Sequence, residues 1–388
     1  MSAHGTASCL ICGEYKLFAV DGFGSLPRIT SDCRPFSAGG ELCVCGSCGA
    51  VQKLPDKRWL EEISCIYQDY AAYSLSGGEE QLVLDAETGQ PQKRSEVLMR
   101  QLQRTGVLPS SCKAIDVGCG HGVTLSAMGV AFPDWQLFGH ELGTDNVAML
   151  HAIPRFRQLY TGDLAQIGEK FDFASMIHSL EHFVDPLATL KSLHSKMQID
   201  GHLFIEVCNV EENPFDLLVA DHLTHFSSAT LVDIARKAGF AVVQLSTDWV
   251  KKELSLLAVA VDTSVLETKP EDSNAHQIYG QIAEKVFWLR ALIEQAEVCV
   301  CRGNAFGLFG TSIAATWLAS VLGESVDFFV DEDPHRIGKL HMGKPVVAPV
   351  AIPPEATVFM PLAPTLATAI KVRLGHLVPN LVLPLQSP

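Results

Sequence analysis

Positive charge is what this sequence is short of. Its 29 Lys and Arg stand against 44 Asp and Glu, a net charge of −15 with histidine neutral. So acidic a chain repels a phosphate backbone, so nucleic acid is not an expected partner, nor RNA an expected substrate. No apolar run is long enough to cross a bilayer, so no membrane insertion is expected. Residues 1–8 are polar and no apolar core follows them. A secretory signal is therefore not expected, and the expected compartment is the cytoplasm. Low-complexity tracts are absent too. With 47% hydrophobic and 19% charged residues, the chain can build packed cores over two or three domains.

Cysteine, by contrast, is plentiful. There are 12 in 388 residues, and Cys9, Cys12, Cys33, Cys43, Cys45 and Cys48 crowd the start. Without a secretory signal a disulfide framework is not expected, and the crowding suggests a metal. Cys9-Leu-Ile-Cys12-Gly13 and Cys45-Gly-Ser-Cys48-Gly49 are two paired turns 32 residues apart. Each turn can aim free N–H groups at thiolate sulfur, and four thiolates close a tetrahedral Zn²⁺ site with no position left for water. Such a zinc is structural. Cys33 and Cys43 are left over; Cys43 would replace Cys45 only in a shifted register.

Periodicity divides the rest. Residues 55–110 are a helical lead-in, with helix-like apolar spacing over 59–73, a loop at 74–81 and a helix at 93–104 that Gly106 and Pro109 end. Between 111 and 262, strands are expected at 113–117, 135–140, 157–160, 171–177 and 202–207, then an antiparallel pair at 240–245 and 254–261. Helices fall at 123–131, after Asp185-Pro186, and after Ser228 as cap, with Leu231, Ile234, Ala235 and Ala238 inward and Gly239 closing. The alternation is that of a doubly wound α/β domain. A polar linker and a long helix to 296 lead into a second, smaller α/β unit over 297–388.

The central unit carries the chemistry. Asp116-Val-Gly118-Cys119-Gly120-His-Gly122 joins the first strand to the first helix. A dinucleotide turn would need a third glycine or alanine where Val123 stands. Acids lie instead at the tips of three successive strands: Asp116, placed to meet an ammonium group; Glu141, placed to accept from ribose hydroxyls; and Asp163, placed to accept from an adenine amine. Together they suit a cationic adenosyl ligand, S-adenosylmethionine, better than a pyrophosphate. The plainer alternative is that the acids only cap strand ends. Leu142, Leu164 and His178 follow these strands and complete the expected cofactor wall.

The glycine turn, with His178-Ser-Leu-Glu181-His182-Phe-Val-Asp185-Pro186 after the fourth strand, resembles the class I S-adenosylmethionine-dependent methyltransferases. The cysteine pairs, with Gly49-Ala-Val-Gln52 after them, resemble the zinc-binding domain of the three-domain sugar C-methyltransferases that act on nucleotide-linked deoxysugars. Gly307-Leu-Phe-Gly310 and Phe328-Phe-Val-Asp331 echo that family's C-terminal Rossmann-like domain. The resemblance implies a zinc-binding module over 1–54, a class I methyltransferase domain over 111–262 and a second Rossmann-like domain over 297–388, joined by 55–110 and 263–296. It also implies that both flanking domains hold a sugar nucleotide over the central site. The family's Tyr-His-Glu-His run corresponds to Val219-Ala220-Asp221-His222, which keeps the last histidine and has aspartate for glutamate. The family's lead-in tyrosine corresponds to Tyr70 or Tyr73.

Methyl transfer needs an aligned acceptor and a base, and imidazole suits the second task. The expected base is His182 or His222, with His225 third, and Asp221 beside them. The plainer alternative for each is packing. Gly310-Thr311-Ser312 can offer a helix start to a phosphate and Asp331 can meet a sugar hydroxyl, or the unit is only scaffold. The expected function is methyl transfer to a sugar, nucleotide-linked or a surface-glycan precursor, at carbon or oxygen. The alternatives are an O-methyltransferase of another small metabolite and a non-catalytic binding protein. A homodimer is left open.

Overall fold

The computed structural model describes residues 3–4, 7–70, 80, 82–84, 91–262, 274–301, 305–378 and 380–386. The linker expected at 263–275 therefore lies outside the described residues, apart from its last two, and so does the loop at 74–81, apart from Glu80.

The N-terminal strands are short: β1 (Ala3–His4), β2 (Leu17–Ala19), β3 (Leu42–Cys45) and β4 (Val51–Lys53), paired antiparallel in that order. Strands this short bury too little to be stable by themselves. Helix α1 (Lys57–Gln68) follows, its cap Asp56 accepting from the Trp59 amide at 2.8 Å. It ends at Gln68, five residues before the expected 73.

After α2 (Arg94–Thr105) comes the central sheet, built from β5 (Lys113–Val117), β6 (Gln136–Glu141), β7 (Phe156–Thr161), β8 (Phe171–Ile177) and β9 (Met197–Cys208). Its helices include α3 (Val123–Ala131) and α4 (Pro186–Ser195). The loop after β9 then forms β10 (Thr224–His225), ahead of α5 (Ser228–Lys237), β11 (Phe240–Ser246) and β12 (Glu253–Ala260). The strand order is β7-β6-β5-β8-β9-β12-β11, parallel from β7 to β9 and antiparallel beyond. Interior parallel strands are covered on both faces, so β5 buries Ala114, Ile115 and Val117 alike. One expectation is corrected: Ser227, not Ser228, caps α5. Its side chain accepts from the Thr230 amide while Thr230 reaches back to the Ser227 amide, a reciprocal pair that Ser228 is one residue too late to make.

Helix α6 (Ala275–Val300) runs four residues past the expected 296, because Leu289, Leu292, Ala296 and Cys299 continue one buried stripe. The third sheet follows: β13 (Phe306–Phe309), α7 (Ile313–Leu322), β14 (Phe328–Val330), β15 (Leu340–His341), β16 (Lys344–Val347), β17 (Thr357–Phe359), α8 (Pro364–Leu374) and β18 (Leu381–Val382). Its order is β15-β16-β14-β13-β17-β18, parallel except at β15.

Two contacts place the site. β10 leaves the central unit to become the fifth strand of the N-terminal sheet, pairing Thr224 with Gln52 and His225 with Val51. One apolar cluster also joins Phe23 and Ile29, Phe215 and Leu218, Trp288 of α6 and Trp317 of α7. The N-terminal strands are thus packed directly against the edge of the central sheet where its parallel strands end.

Candidate active site at the carboxyl edge of the central sheet

The order of the central sheet reverses between β5 and β8, and open α/β sheets bind ligands outside the carboxyl ends of such a pair. Asp116 of β5 lies opposite Ser175 of β8, whose hydroxyl donates to it at 2.5 Å. Burial pushes the Asp116 carboxyl up to about 7. A buried acid in that state gains from a cation placed beside it, as an ammonium group would be. Gly118, Gly120 and Gly122 all have positive φ. A side chain at Gly120 would meet open space, whereas a Cβ at Gly118 would lie 2.6 Å from Ser179 Cβ. Gly118→Ala is therefore expected to lower stability by about 1–3 kcal/mol, measured by urea unfolding. Glu141, at the end of β6, accepts from the Gly120 amide at 2.9 Å and the Leu142 amide at 2.8 Å. Its carboxylate pins the glycine turn and keeps lone pairs for two hydroxyls. An open glycine turn, an acid at the next strand tip and a buried acid awaiting a cation fit an S-adenosylmethionine.

The other expected cofactor residues are spread more widely. Cys119 is buried in the core, its sulfur under Gly139, where an added Cβ would come within 2.7 Å. Leu164 is buried in the core as well, while Leu142 is 76% exposed. Asp163 caps the short turn after β7, accepting from the Ala165 amide at 2.9 Å. His178 has φ of 49°, rare for a residue with a side chain. Its ring joins Glu253 at 2.6 Å to Glu181 at 3.3 Å.

Facing this edge is a buried histidine cluster. His182 Nδ1 lies 3.0 Å from Tyr67 Oη and 3.1 Å from the Asp221 carbonyl. His222 meets His182 edge to face with centroids 4.7 Å apart. His222 Nδ1 is 2.7 Å from one Asp216 oxygen, and His225 Nδ1 is 2.6 Å from the other. Asp221 accepts from Ser31 twice, from the amide at 2.8 Å and from the hydroxyl at 2.5 Å. Lys53, fully buried, donates to the carbonyls of Val219 at 2.5 Å and His222 at 2.8 Å. Burial and the neighbouring His222 hold His182 below its ordinary value, which favours its neutral form. Burial also draws Lys53 down to about 7.

His182, Asp221, His222 and His225 are thus brought together. Of the two expected tyrosines, Tyr70 is partly exposed with its hydroxyl 3.3 Å from Ser31 Oγ, and Tyr73 lies outside the described residues. The tyrosine against His182 is Tyr67, one helical turn before Tyr70. Sequence reasoning also passed over Asp216, Lys53 and Ser31. Only Tyr67 left a trace, as a tyrosine three residues before Tyr70 on the same helical stripe.

In the cysteine cluster, Cys9 and Cys48 sulfurs are 3.5 Å apart and Cys12 and Cys45 sulfurs 3.6 Å. The edge of a ZnS₄ tetrahedron with bonds of about 2.3 Å is ~3.8 Å. Amides of Ile11 and Ser47 point at Cys9 and Cys45 sulfur, and Gly13 and Gly49 close the turns with positive φ. Donor set and geometry fit zinc.

A family model for a methyltransferase domain matches residues 91–245. Among curated proteins, the chain is 32% identical over 116 residues to a ubiquinone biosynthesis O-methyltransferase of Pseudomonas syringae, a match covering 28% of this chain and 48% of that one. It is 32% identical over 119 residues to the same-named protein of Haemophilus ducreyi, covering 28% and 50%. The chain spans about half the length of the curated relatives it matches. Among solved structures, the calicheamicin-biosynthesis methyltransferase CalO1 in its SAH-bound form is 17% identical, with a TM-score of 0.36 over 43% of this chain and 54% of that one. Among the described residues, no helix is long and apolar enough to cross a membrane. The matched stretch, 91–245, holds the parallel strands of the central sheet, the glycine turn and Glu141, and is similar to a methyltransferase domain.

Proposed function

We propose that this protein transfers a methyl group from S-adenosylmethionine to a sugar, nucleotide-linked or a surface-glycan precursor, with His222 as base and His182 beside it, and that Cys9, Cys12, Cys45 and Cys48 hold a structural Zn²⁺. The observation that carries the reading is the buried histidine cluster at the switch-point edge, closed over by Ser31, from a turn of the N-terminal segment, and by Lys53 of β4.

The cofactor supplies a methyl on a cationic sulfur that leaves as a neutral thioether. Glu141 and the glycine turn bind the ribose end, and Asp116 balances the ammonium. His222 Nε2 takes the acceptor's proton as the new bond to the methyl carbon forms. With a hydroxyl acceptor this proton leaves oxygen; with a carbon acceptor next to a carbonyl it leaves carbon first. Tyr67 and Asp221 fix the His182 ring against that path. The resemblance of the cysteine pairs to nucleotide-sugar enzymes favours the sugar.

A second reading, O-methylation of another small metabolite, is favoured by the names of the curated relatives. Labelled-methyl transfer to a panel of nucleoside diphosphate sugars and catechols separates the two. Transfer only to catechols sinks the sugar reading. Solvent deuterium exchange at the acceptor carbon, lost in His222→Ala, marks C-methylation.

Calorimetry with S-adenosylhomocysteine tests the cofactor site directly. Glu141→Ala removes two charged hydrogen bonds to the ribose and is expected to weaken binding by about 2–4 kcal/mol, roughly 30- to 1,000-fold. Absence of binding by the unmutated protein, or affinity untouched by Glu141→Ala, counts against the whole reading.

A further inference from the structure

Asp216 lies in the short turn Pro214–Leu218 after β9 and is 2% exposed. Its two oxygens each meet a different imidazole through Nδ1, His222 at 2.7 Å and His225 at 2.6 Å. An ionised carboxylate only accepts, so both rings carry their proton on Nδ1 and their lone pair on Nε2. His225 Nε2 is taken up by Lys53 Nζ at 3.3 Å. His222 Nε2 has no hydrogen-bond partner among the described residues, and its ring abuts His182.

We propose that Asp216 is the positioning residue of the methyl-transfer site: it fixes His222 in the tautomer whose Nε2 lone pair can take the acceptor's proton, and it balances the imidazolium that results. This rests on His222 acting as the base.

The surroundings set the two rings apart. Around His222 stand Asp216 and Asp221 from its own loop, His225 of β10, Glu181 and His182 from the turn after β8, Cys208 of β9 and Lys53 of β4, with Tyr67 of α1 on the His182 ring. Burial lowers both histidines. For His222 the Asp216 hydrogen bond and the charges of Asp216, Glu181 and Asp221 together outweigh burial, so it stays above its ordinary value. For His225 burial wins, with Lys53 adding to it, and the ring falls to about 4. Although burial opposes it, the two rings keep the Asp216 carboxyl well below the usual range, hence ionised. Of two rings on one carboxylate, only His222 is held toward its charged form.

Asparagine at 216 breaks the symmetry. It offers one acceptor oxygen and one NH₂ donor, so only one ring can keep a bonded Nδ1–H. The test is ¹⁵N-histidine NMR of the full chain, with signals assigned by their loss in His222→Gln and His225→Gln. The unmutated protein is expected to show protonated Nδ1 and bare Nε2 in both rings. Asp216→Asn is expected to move the proton to Nε2 in at least one ring and to shift the His222 titration midpoint downward. A bare Nδ1 on His222 in the unmutated protein overturns the proposal, and this spectrum decides even where Asp216→Asn does not fold. An Asp216→Asn protein with both tautomers and the His222 midpoint unchanged overturns it as well. S-adenosylhomocysteine calorimetry on the same samples tests the cofactor reading alone: absent binding sinks that reading, whereas a wrong tautomer sinks only the role of Asp216.

Discussion

Stripping metal from the cysteine cluster, by chelation or by Cys45→Ser, is expected to lower the melting temperature by about 10 °C or more and to loosen the histidine cluster. Structural zinc supplies about 10–16 kcal/mol in small modules, which exceeds what strands of two to four residues can gain by packing. The damage does not stay local. Gln52 of β4 accepts from the Leu10 amide inside the first cysteine turn at 2.8 Å, and its neighbour Lys53 holds the backbone of Val219 and His222. β4 also pairs with β10, which carries His225. Metal loss is therefore transmitted through one strand into the site. Thermal unfolding with and without chelator, alongside metal analysis, checks this. Protein that purifies without metal and melts at the same temperature after chelation removes the zinc reading.

His222→Ala is expected to slow methyl transfer about 10²- to 10⁴-fold, the usual contribution of a positioned base, while cofactor affinity holds. The split follows from geometry: His222 sits with His182, Asp216 and Asp221, whereas Glu141, the proposed ribose acceptor, is tied to the glycine turn. The sign of the pH dependence is fixed too. A base must be unprotonated to act, and Asp216 favours the charged form of His222. The rate should climb with pH through a midpoint above the ordinary histidine value, and Asp216→Asn should move that midpoint down. Initial rates on an acceptor from the sugar and catechol panel measure both. A His222→Ala enzyme within a few-fold of the original would return the role of base to His182.

Residues whose roles are set by their neighbours in sequence could be read before any fold was known. The glycine turn at 118–122 needs positive φ at successive glycines, and Glu141 reaches it because β6 lies beside β5. The cysteine pairs are local as well, since each turn positions its own two sulfurs. Tyr67 was harder. Spaced three apart, it and Tyr70 would share a stripe only if the helix continued, and α1 ends at Gln68, leaving Tyr67 as the ring that reaches His182. Asp216 reads in sequence as an acid in an apolar run, and nothing local says that it will meet two histidines six and nine residues later.

By itself the sequence determined the acidic surface, the cysteine turns, the strand–helix alternation and the glycine-and-acid edge, because each depends on short-range spacing or on composition. The tertiary structure alone decided that β10 would leave its own unit to complete the N-terminal sheet. With that strand came Lys53 and Ser31 into the histidine cluster, from residues about 170 and 190 positions away along the chain. Pairings at such separations are chosen by burial and by the need to satisfy buried polar groups, and neither is written in any local window of residues.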